Sequence, residues 1–237
     1  MSLYGQTFSQ VHSDAFASFW TPAFAGLIRA IKATSPLPRL VDLGCGDGLW
    51  MSTAQGEGIE TRGCDVSLSM LALAADRGLD VVGCSAKEMD LSHATAVTAL
   101  GEVLCYAHGS EGAQDGGHDG GQWRAVMAKA ARALPLGGLF ICDLLGLETP
   151  VRSASHDVGG GRTLSVNSHL DGRDMCREIT VAQDGAVVSS ERHVQTLIDP
   201  AEVLAEGTRL GFDLRLSDTL AGCRLLPGRF GVWAVRI

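Results

Sequence analysis

The sequence predicts an α/β fold: a doubly wound, mostly parallel sheet of seven strands with helices on both faces and a small antiparallel β insertion. Three observations support this prediction. Short apolar runs alternate with helical stretches between residues 37 and 148. After Pro150 the pattern changes to period-two alternation interrupted by Asp-Gly pairs. A further helical stretch and two strand-like segments then end the sequence.

Composition and charge narrow the function classes. Of the 237 residues, 46% are hydrophobic, and no apolar run approaches the roughly eighteen residues that span a bilayer. A formal net charge of −8 disfavours nucleic acid as a partner. The seven cysteines include no C-x-x-C pair, and the N-terminus lacks the pattern of a secretory signal. We therefore expect a cytoplasmic protein with reduced cysteines that binds neither a membrane nor nucleic acid.

Four regions follow from the spacing of apolar residues. Residues 1–36 predict an N-terminal helical cap, with Pro22 between two helices. Residues 37–150 predict the core of alternating strands and helices. Residues 151–198 predict a meander of three antiparallel strands that covers the substrate or forms a dimer contact. Residues 199–237 predict the last helix and the final two strands of the core sheet.

The stretch VDLGCGDGLW, residues 41–50, places Gly44, Gly46 and Gly48 between a strand-like run and a helix. Alternate glycines permit a tight turn and a close ligand approach, and the N–H groups that start the helix can bind polar groups. A dinucleotide fingerprint G-x-G-x-x-G would need glycine at position 49, where this chain has Leu49. The turn therefore indicates a nucleotide-type cofactor and disfavours an NAD(P)-dependent oxidoreductase.

This turn resembles the first motif of class I S-adenosylmethionine-dependent methyltransferases, and GCDVSLSMLALAADRG resembles their second-strand motif. The later strands are similar, less specifically, to small-molecule members that insert antiparallel strands after the fifth strand. The resemblance implies a Rossmann-like core, S-adenosylmethionine as cofactor and S-adenosylhomocysteine as product. It also implies that Asp65 binds the ribose hydroxyls and Asp42 the methionine part. The cofactor-binding residues we expect are Tyr4, Asp42, Gly44, Cys45, Gly46, Asp65, Val66, Ser85, Ala86 and Gly101.

Three positions depart from the family pattern. Ser85 stands where the adenine-contacting segment usually has Asp, and Thr95 stands where the fourth-strand motif usually begins with Asp. Leu136 replaces the proline of the turn before the fifth strand. The contact with the adenine amino group is therefore expected to be weaker, or to be made by another atom.

The candidate catalytic residues are Glu102, Tyr106 and His193. The first two follow the fourth strand at the carboxyl edge of the sheet, where they would face the methyl group. On the third insertion strand, period-two alternation places Glu191, His193 and Gln195 on one face. If that face covers the pocket, His193 is the candidate base. The alternatives are a solvated loop glutamate, a core tyrosine and a surface histidine.

The leading hypothesis is methyl transfer to an oxygen or nitrogen of a small-molecule acceptor. A second hypothesis is a non-catalytic sensor or assembly protein that binds the same cofactor, and the oxidoreductase is a distant third. His108, His118 and Asp119 lie in a glycine-rich loop with poor ligand spacing, so no metal site is expected. A homodimer through the edges of the insertion is also considered.

Overall fold

The computed structural model describes residues 4–106 and 122–237. The helices are α1 (Gln6–Phe16), α2 (Thr21–Thr34), α3 (Leu49–Gly56), α4 (Leu68–Asp76), α5 (Trp123–Ala133) and α6 (Pro200–Arg209), with short 3-10 helices at Ala17–Trp20 and Val103–Cys105. The first nine strands are β1 (Arg39–Leu43), β2 (Glu60–Asp65), β3 (Val81–Gly83), β4 (Ala96–Ala99), β5 (Leu139–Leu145), β6 (Ser153–Asp157), β7 (Arg162–Asp171), β8 (Asp174–Gln183) and β9 (Ala186–Thr196). The remaining strands are β10 (Phe212–Ser217), β11 (Thr219–Leu220), β12 (Cys223–Arg224) and β13 (Arg229–Arg236).

Seven strands form the central sheet in the order β10-β13-β5-β4-β1-β2-β3. The pairs β1–β2, β1–β4, β2–β3 and β4–β5 are parallel, whereas β13 runs antiparallel to both of its neighbours. Strands β2 and β3 lie on one side of β1, and β4 and β5 lie on the other. The order of strands therefore switches direction at the β1–β4 boundary, and open α/β sheets bind ligands at such a switch point. The predicted mostly parallel, seven-stranded sheet is confirmed.

Helices cover both faces of this sheet. On one face, Phe24, Leu27 and Ile31 of α2 pack with Trp50 of α3. On the other face, α5 and α6 pack against side chains of β1, β4 and β5 in the largest hydrophobic cluster. Neighbouring residues of one strand serve opposite faces, since Leu40 belongs to the first cluster and Val41 to the second. This arrangement confirms the doubly wound architecture.

The insertion is a separate antiparallel sheet of four strands, in the order β6-β7-β8-β9. The sequence predicted three of them, joined by Asp-Gly turns, and Asp184 and Gly185 between β8 and β9 both have positive φ as such turns require. Strand β6 was missed because every residue of Ser153–Asp157 is exposed, so this strand carries no apolar alternation. Backbone hydrogen bonds to β7 define β6 as a strand. The burial of its residues does not reveal this pairing.

The N-terminal region contains two helices, as the sequence predicted: α1 and α2 are separated at Ala17–Trp20, and Pro22 lies in the first turn of α2. A further element differs from the sequence-based prediction. A short hairpin of β11 and β12 lies between the final two sheet strands, where none was predicted. Within residues 4–106 and 122–237, no helix has the length and apolar character needed to cross a membrane.

Candidate functional site

The candidate site lies at the carboxyl edge of β1, β2 and β4. The β1–α3 turn carries the alternate glycines, β2 ends at Asp65, and the segment 101–106 leaves β4 beside them. The N-terminal segment and strand β9 reach the same edge, since Tyr4 hydrogen-bonds Tyr106 and Tyr106 bridges to Gln195. Residues from the core, the cap and the insertion therefore meet in one place.

Each glycine of the β1–α3 turn has positive φ, but the space beside it differs. A Cβ on Gly44 would lie 2.5 Å from Cγ2 of Val103, and one on Gly48 would overlap Leu79. A Cβ on Gly46 would meet no atom of residues 4–106 or 122–237 within 4 Å. Gly44 and Gly48 are thus required by packing, while Gly46 borders open space that a ligand could enter.

Asp65 is held against this turn by backbone donors. The N–H of Gly46 donates to its Oδ2 at 3.0 Å, and the N–H of Ser67 donates to its Oδ1 at 2.8 Å. Burial raises the pKa of Asp65, and these N–H donors oppose that rise. A carboxylate has about four acceptor sites, so both oxygens retain capacity for two vicinal hydroxyl donors.

Asp42 lies on β1 with its side chain 4% exposed. The hydroxyl of Thr98 donates to its Oδ1 at 2.7 Å, and the indole N–H of Trp50 donates to Thr98 at 3.1 Å. Burial raises the pKa of Asp42 from 3.8 to about 7, because the Thr98 hydrogen bond only partly offsets the desolvation. The Trp50–Thr98–Asp42 chain holds the carboxyl group in one orientation.

The other predicted cofactor residues have varied surroundings. Cys45 is buried and donates its N–H to the carbonyl of Cys64, and burial raises the pKa of its thiol. Gly101 has φ +91°, and a Cβ there would lie 3.9 Å from Nε1 of Trp20. Val66 is exposed, and Ala86 belongs to the core. The last predicted residue, Ser85, donates its hydroxyl and its N–H to Glu88.

Tyr4 links the N-terminal segment to the turn after β2. Its carbonyl accepts hydrogen bonds from the hydroxyls of Ser67, at 2.8 Å, and Ser9, at 2.7 Å. Its ring stacks on Phe8 at 5.0 Å and lies 5.2 Å from the ring of His193. Tyr4 therefore contacts both the Asp65 side of the site and the insertion side.

His193 lies 1% exposed at the centre of a hydrogen-bonded series. Its Nδ1 is 3.1 Å from the hydroxyl of Tyr106, and its Nε2 is 2.9 Å from Oε2 of Glu191. Burial holds the pKa of Tyr106 well above its usual value, so this hydroxyl stays protonated. As the alternation predicted, Glu191, His193 and Gln195 are all buried on one face of β9.

Glu102 is buried in a cluster of charges. Its Oε2 accepts hydrogen bonds from Arg177 at 2.8 Å and from Gln195 at 2.9 Å, and its Oε1 pairs with Arg229. The N–H of Glu102 donates to Asp143, which is fully buried and whose pKa burial raises to about 7. With two guanidinium partners, the Glu102 carboxylate is bound in place, and its predicted catalytic role stays a prediction.

Sequence reasoning did not single out Asp143, Arg177 or Arg229. Asp143 had a usable signal, because it is the one charged residue of the otherwise apolar strand LFICDLL. Arg177 and Arg229 had none, since isolated arginines near strands are ordinary. They became visible only where β8 and β13 bring them to Glu102.

Some sequence-level expectations concern other parts of the chain. Thr95 precedes β4, where its hydroxyl oxygen accepts from the N–H of Arg39, so it lies at the opposite edge of the sheet from the candidate site. His108, His118 and Asp119 lie outside the described residues. In residues 4–106 and 122–237, no group of three or more His, Cys, Asp or Glu side chains could hold a metal ion.

Comparison with known proteins places the fold in one class. No family model and no curated protein matches the chain. Solved structures do match, and they include an S-adenosylmethionine-dependent methyltransferase, an amino pentose methyltransferase and a sugar N-methyltransferase. The chain thus has the fold of these enzymes, as the motif resemblance predicted.

Three of these structures show the extent of the likeness. CalS10 from Micromonospora echinaspora, an amino pentose methyltransferase solved with S-adenosylmethionine bound, is 23% identical, with 100% of this chain and 99% of that chain covered and a TM-score of 0.72. The sugar N-methyltransferase KedS8 from Streptoalloteichus is 20% identical, with coverage of 100% and 96% and a TM-score of 0.73. The CcbJ methyltransferase from Streptomyces caelestis is 17% identical, with coverage of 100% and 99% and a TM-score of 0.77. At these identities the likeness establishes the fold, and the match covers the whole of the given sequence.

Proposed function

We propose that this protein transfers the methyl group of S-adenosylmethionine to an oxygen or nitrogen of a small-molecule acceptor. One observation carries the proposal: the open space beside Gly46 is bordered by the Asp65 carboxylate, within the fold of methyltransferases such as CalS10, which was solved with this cofactor bound. A partly buried carboxylate at the end of β2 suits a ribose diol, and a bare backbone at the β1–α3 turn suits a close ligand approach.

The residues of the site fit this cofactor. Asp65 would accept hydrogen bonds from the ribose hydroxyls, and Asp42 would balance positive charge near the methionine part. Ser85 has its hydroxyl engaged with Glu88, so the adenine would be held mainly by backbone and apolar contacts. When bound, the cofactor supplies a methyl group already activated by its positive sulfur. The protein must then align the acceptor, exclude water and remove a proton.

His193 is the residue best placed to take that proton. The Glu191 carboxylate can only accept hydrogen bonds, so the hydrogen on the imidazole is assigned to Nε2, which leaves Nδ1 unprotonated. Nδ1 faces the Tyr106 hydroxyl, which stays protonated and can donate either to it or to the acceptor. Near Glu102, Oε1 of Gln195 has no hydrogen-bond partner among the described residues and can accept from the substrate.

The surroundings of the site favour a small acceptor over a macromolecule. Tyr4 and Phe8 of the N-terminal segment lie against His193, so the candidate base is enclosed rather than open to a polymer surface. The net charge of −8 also opposes a nucleic-acid substrate.

The seven cysteines are free thiols, which suits the reducing cytoplasm.

A homodimer through strand β6 is part of the proposal. This strand forms one edge of the insertion sheet, is exposed along its whole length and contains no Lys, Arg or Pro that would protect an edge. Pairing of two β6 strands would join the insertion sheets of two copies.

Calorimetric titration with S-adenosylhomocysteine tests the cofactor assignment. The wild type should bind, and Asp65→Ala should weaken binding at least about tenfold, because each hydrogen bond to a charged group contributes roughly 1.5–3 kcal/mol. Asp76→Ala is the matched control, since Asp76 is exposed at the end of α4. Equal affinities for Asp65→Ala and the control would refute the assigned pose, and absence of binding by the folded wild type would refute the function.

A cofactor-binding protein without catalysis is the second candidate. The engagement of Glu102 by two arginines favours it, because a carboxylate so paired is a poor base. Incubation with S-adenosylmethionine and a panel of hydroxyl and amine acceptors, including amino sugars, separates the two candidates. Release of S-adenosylhomocysteine with one acceptor establishes the enzyme, and tight cofactor binding without release with any of them favours the sensor.

A further inference from the structure

Glu191 contacts two separate parts of the site with one carboxylate. Its Oε2 lies 2.9 Å from Nε2 of His193 and accepts the N–H of Tyr4 at 2.8 Å. Its Oε1 accepts the N–H of Gly5 at 2.7 Å. Glu191 is only 7% exposed, so bulk water is poorly placed to replace these donors. The same oxygen therefore serves the candidate base and the N-terminal backbone.

We infer that Glu191 is a positioning residue that holds His193 in its proton-accepting tautomer and fastens residues 4–5 beside it. The inference rests on the proposed function, in which Nδ1 of His193 accepts the proton of the acceptor. Because Glu191 keeps the hydrogen on Nε2 and limits rotation of the ring, Nδ1 is presented to Tyr106 and the acceptor side. No covalent step is assigned to Glu191.

The arrangement also connects the two halves of the site. The carbonyl of Tyr4 accepts from the hydroxyl of Ser67, and the N–H of Ser67 donates to Asp65, the candidate ribose ligand. On its other side, the N–H of Tyr4 donates to Glu191. One residue of the N-terminal segment is thus hydrogen-bonded toward both the cofactor side and the base.

Nuclear magnetic resonance of the ligand-free full chain tests this role without an acceptor. An imidazole N–H that donates to a buried carboxylate resonates downfield and exchanges slowly with water. The wild type should show such a proton on Nε2 of His193, identified by its loss in His193→Gln, together with slow exchange of the Tyr4 and Gly5 amides. In Glu191→Ala, exchange of the Nε2 proton and of both amides should accelerate at least about tenfold, as expected for loss of hydrogen bonds to a charged group.

Glu191→Gln supplies a second test that preserves side-chain shape. An amide has one oxygen in place of two, so one carboxylate position must become a donor. Either the Gly5 amide loses protection, or the Tyr4 amide and the Nε2 proton lose it together. Glu178→Gln, at an exposed position on β8, is the matched control and should leave every signal unchanged. Protection of all three groups in Glu191→Gln, or a wild-type proton on Nδ1, would overturn the inference.

The outcome of these resonance experiments is independent of whether the proposed function is correct. A wild type that shows the protected Nε2 proton but binds no S-adenosylhomocysteine would retain the Glu191 arrangement and lose the methyltransferase proposal. A wild type that binds S-adenosylhomocysteine but whose Nε2 signal is unchanged by Glu191→Ala would retain the cofactor site and lose the role of Glu191.

Discussion

At the scale of single residues, Gly44 and Gly46 share a positive-φ backbone conformation but differ in the space beside them. Both have positive φ, so any larger residue at either position is strained. At Gly44 the neighbouring Val103 also excludes a Cβ, which makes the glycine a packing requirement. At Gly46 the adjacent space is open, and it is the proposed approach of the cofactor to the backbone.

A comparison of Gly46→Ala with Gly58→Ala tests that difference. Gly58 follows α3, has φ +82° and likewise has no described atom within 4 Å of its Cβ position. Both substitutions should therefore introduce a similar backbone strain of roughly 1 kcal/mol. Only Gly46→Ala should weaken S-adenosylhomocysteine binding, at least tenfold, because its methyl group enters the proposed cofactor space. Denaturant unfolding and calorimetry measure the two effects, and equal affinities would argue against that space.

The buried carboxyl of Asp42 gives a prediction about pH. Its pKa rises from 3.8 to about 7 on burial, so between these values the folded protein holds a proton that the unfolded chain releases. This group therefore lowers the free energy of unfolding as pH rises from about 4 to about 7. Asp42→Asn keeps an oxygen for Thr98 and cannot ionise.

Without ligand, Asp42→Asn should be more stable than the wild type at pH 8, by up to about 4 kcal/mol at about 1.4 kcal/mol per pKa unit. The difference should shrink toward pH 4. Urea unfolding at pH 4, 6 and 8 provides the measurement, with Asp76→Asn as the exposed control. A stability difference that does not change with pH would show that the Asp42 carboxyl is not the cause.

At the scale of elements, the Glu102 cluster joins the core to the insertion. Glu102 follows β4, Arg177 belongs to β8, Gln195 to β9 and Arg229 to β13. Burial lowers the pKa of Arg229 to about 10, and Asp143 lies beneath it on β5. Four charged side chains thus pair where the two sheets meet, and the neutral amide of Gln195 adds a hydrogen bond to Glu102.

Glu102→Gln should lower the free energy of unfolding by about 2–3 kcal/mol. Removal of one member of a buried ion pair commonly costs 3–5 kcal/mol, and the partial exposure of the Arg177 and Arg229 side chains, 21% and 16%, reduces that cost. Glu178→Gln is the control on the exposed face of β8. Loss of methyl transfer with wild-type stability would instead assign Glu102 a direct catalytic role.

At the scale of the whole molecule, the core sheet, the N-terminal segment and the insertion meet at the candidate site, and strand β6 forms an exposed edge of the insertion sheet. Within the described part of the chain, strand β6 pairs only with β7, and its five residues are exposed. Such an edge favours association between copies of the chain.

Light scattering coupled to size exclusion should therefore report a dimer for the wild type. Ala154→Glu combined with Ser155→Glu places extra negative charge on β6 and should give a monomer through like-charge repulsion. The same pair of substitutions at exposed Val187 and Val188, which lie on β9 at the opposite edge of the insertion sheet, is the control and should remain dimeric. A monomeric wild type would contradict the proposed dimer.

The sequence was most informative where a feature is local. Alternating strands and helices predicted the doubly wound sheet, and three glycines followed by Asp65 predicted the carboxyl-edge site, because period and spacing act over a few residues. Strand β6 escaped prediction because its polar, exposed residues have no periodic signal.

The sequence by itself determined the fold class, the glycine turn, the Asp65 position and the shared face of Glu191, His193 and Gln195. Only the tertiary structure decided the partners of Glu102, because Arg177 and Gln195 lie 75 and 93 residues further along the chain. It also decided that Glu191 binds both the neighbouring His193 and the backbone N–H groups of Tyr4 and Gly5. Tyr4 and Gly5 are 187 and 186 residues away from Glu191 in the sequence. Hydrogen bonds and ion pairs form at distances of about 3 Å. Chain folding sets these distances between segments that are far apart in the sequence, and no local sequence pattern shows which segments will meet.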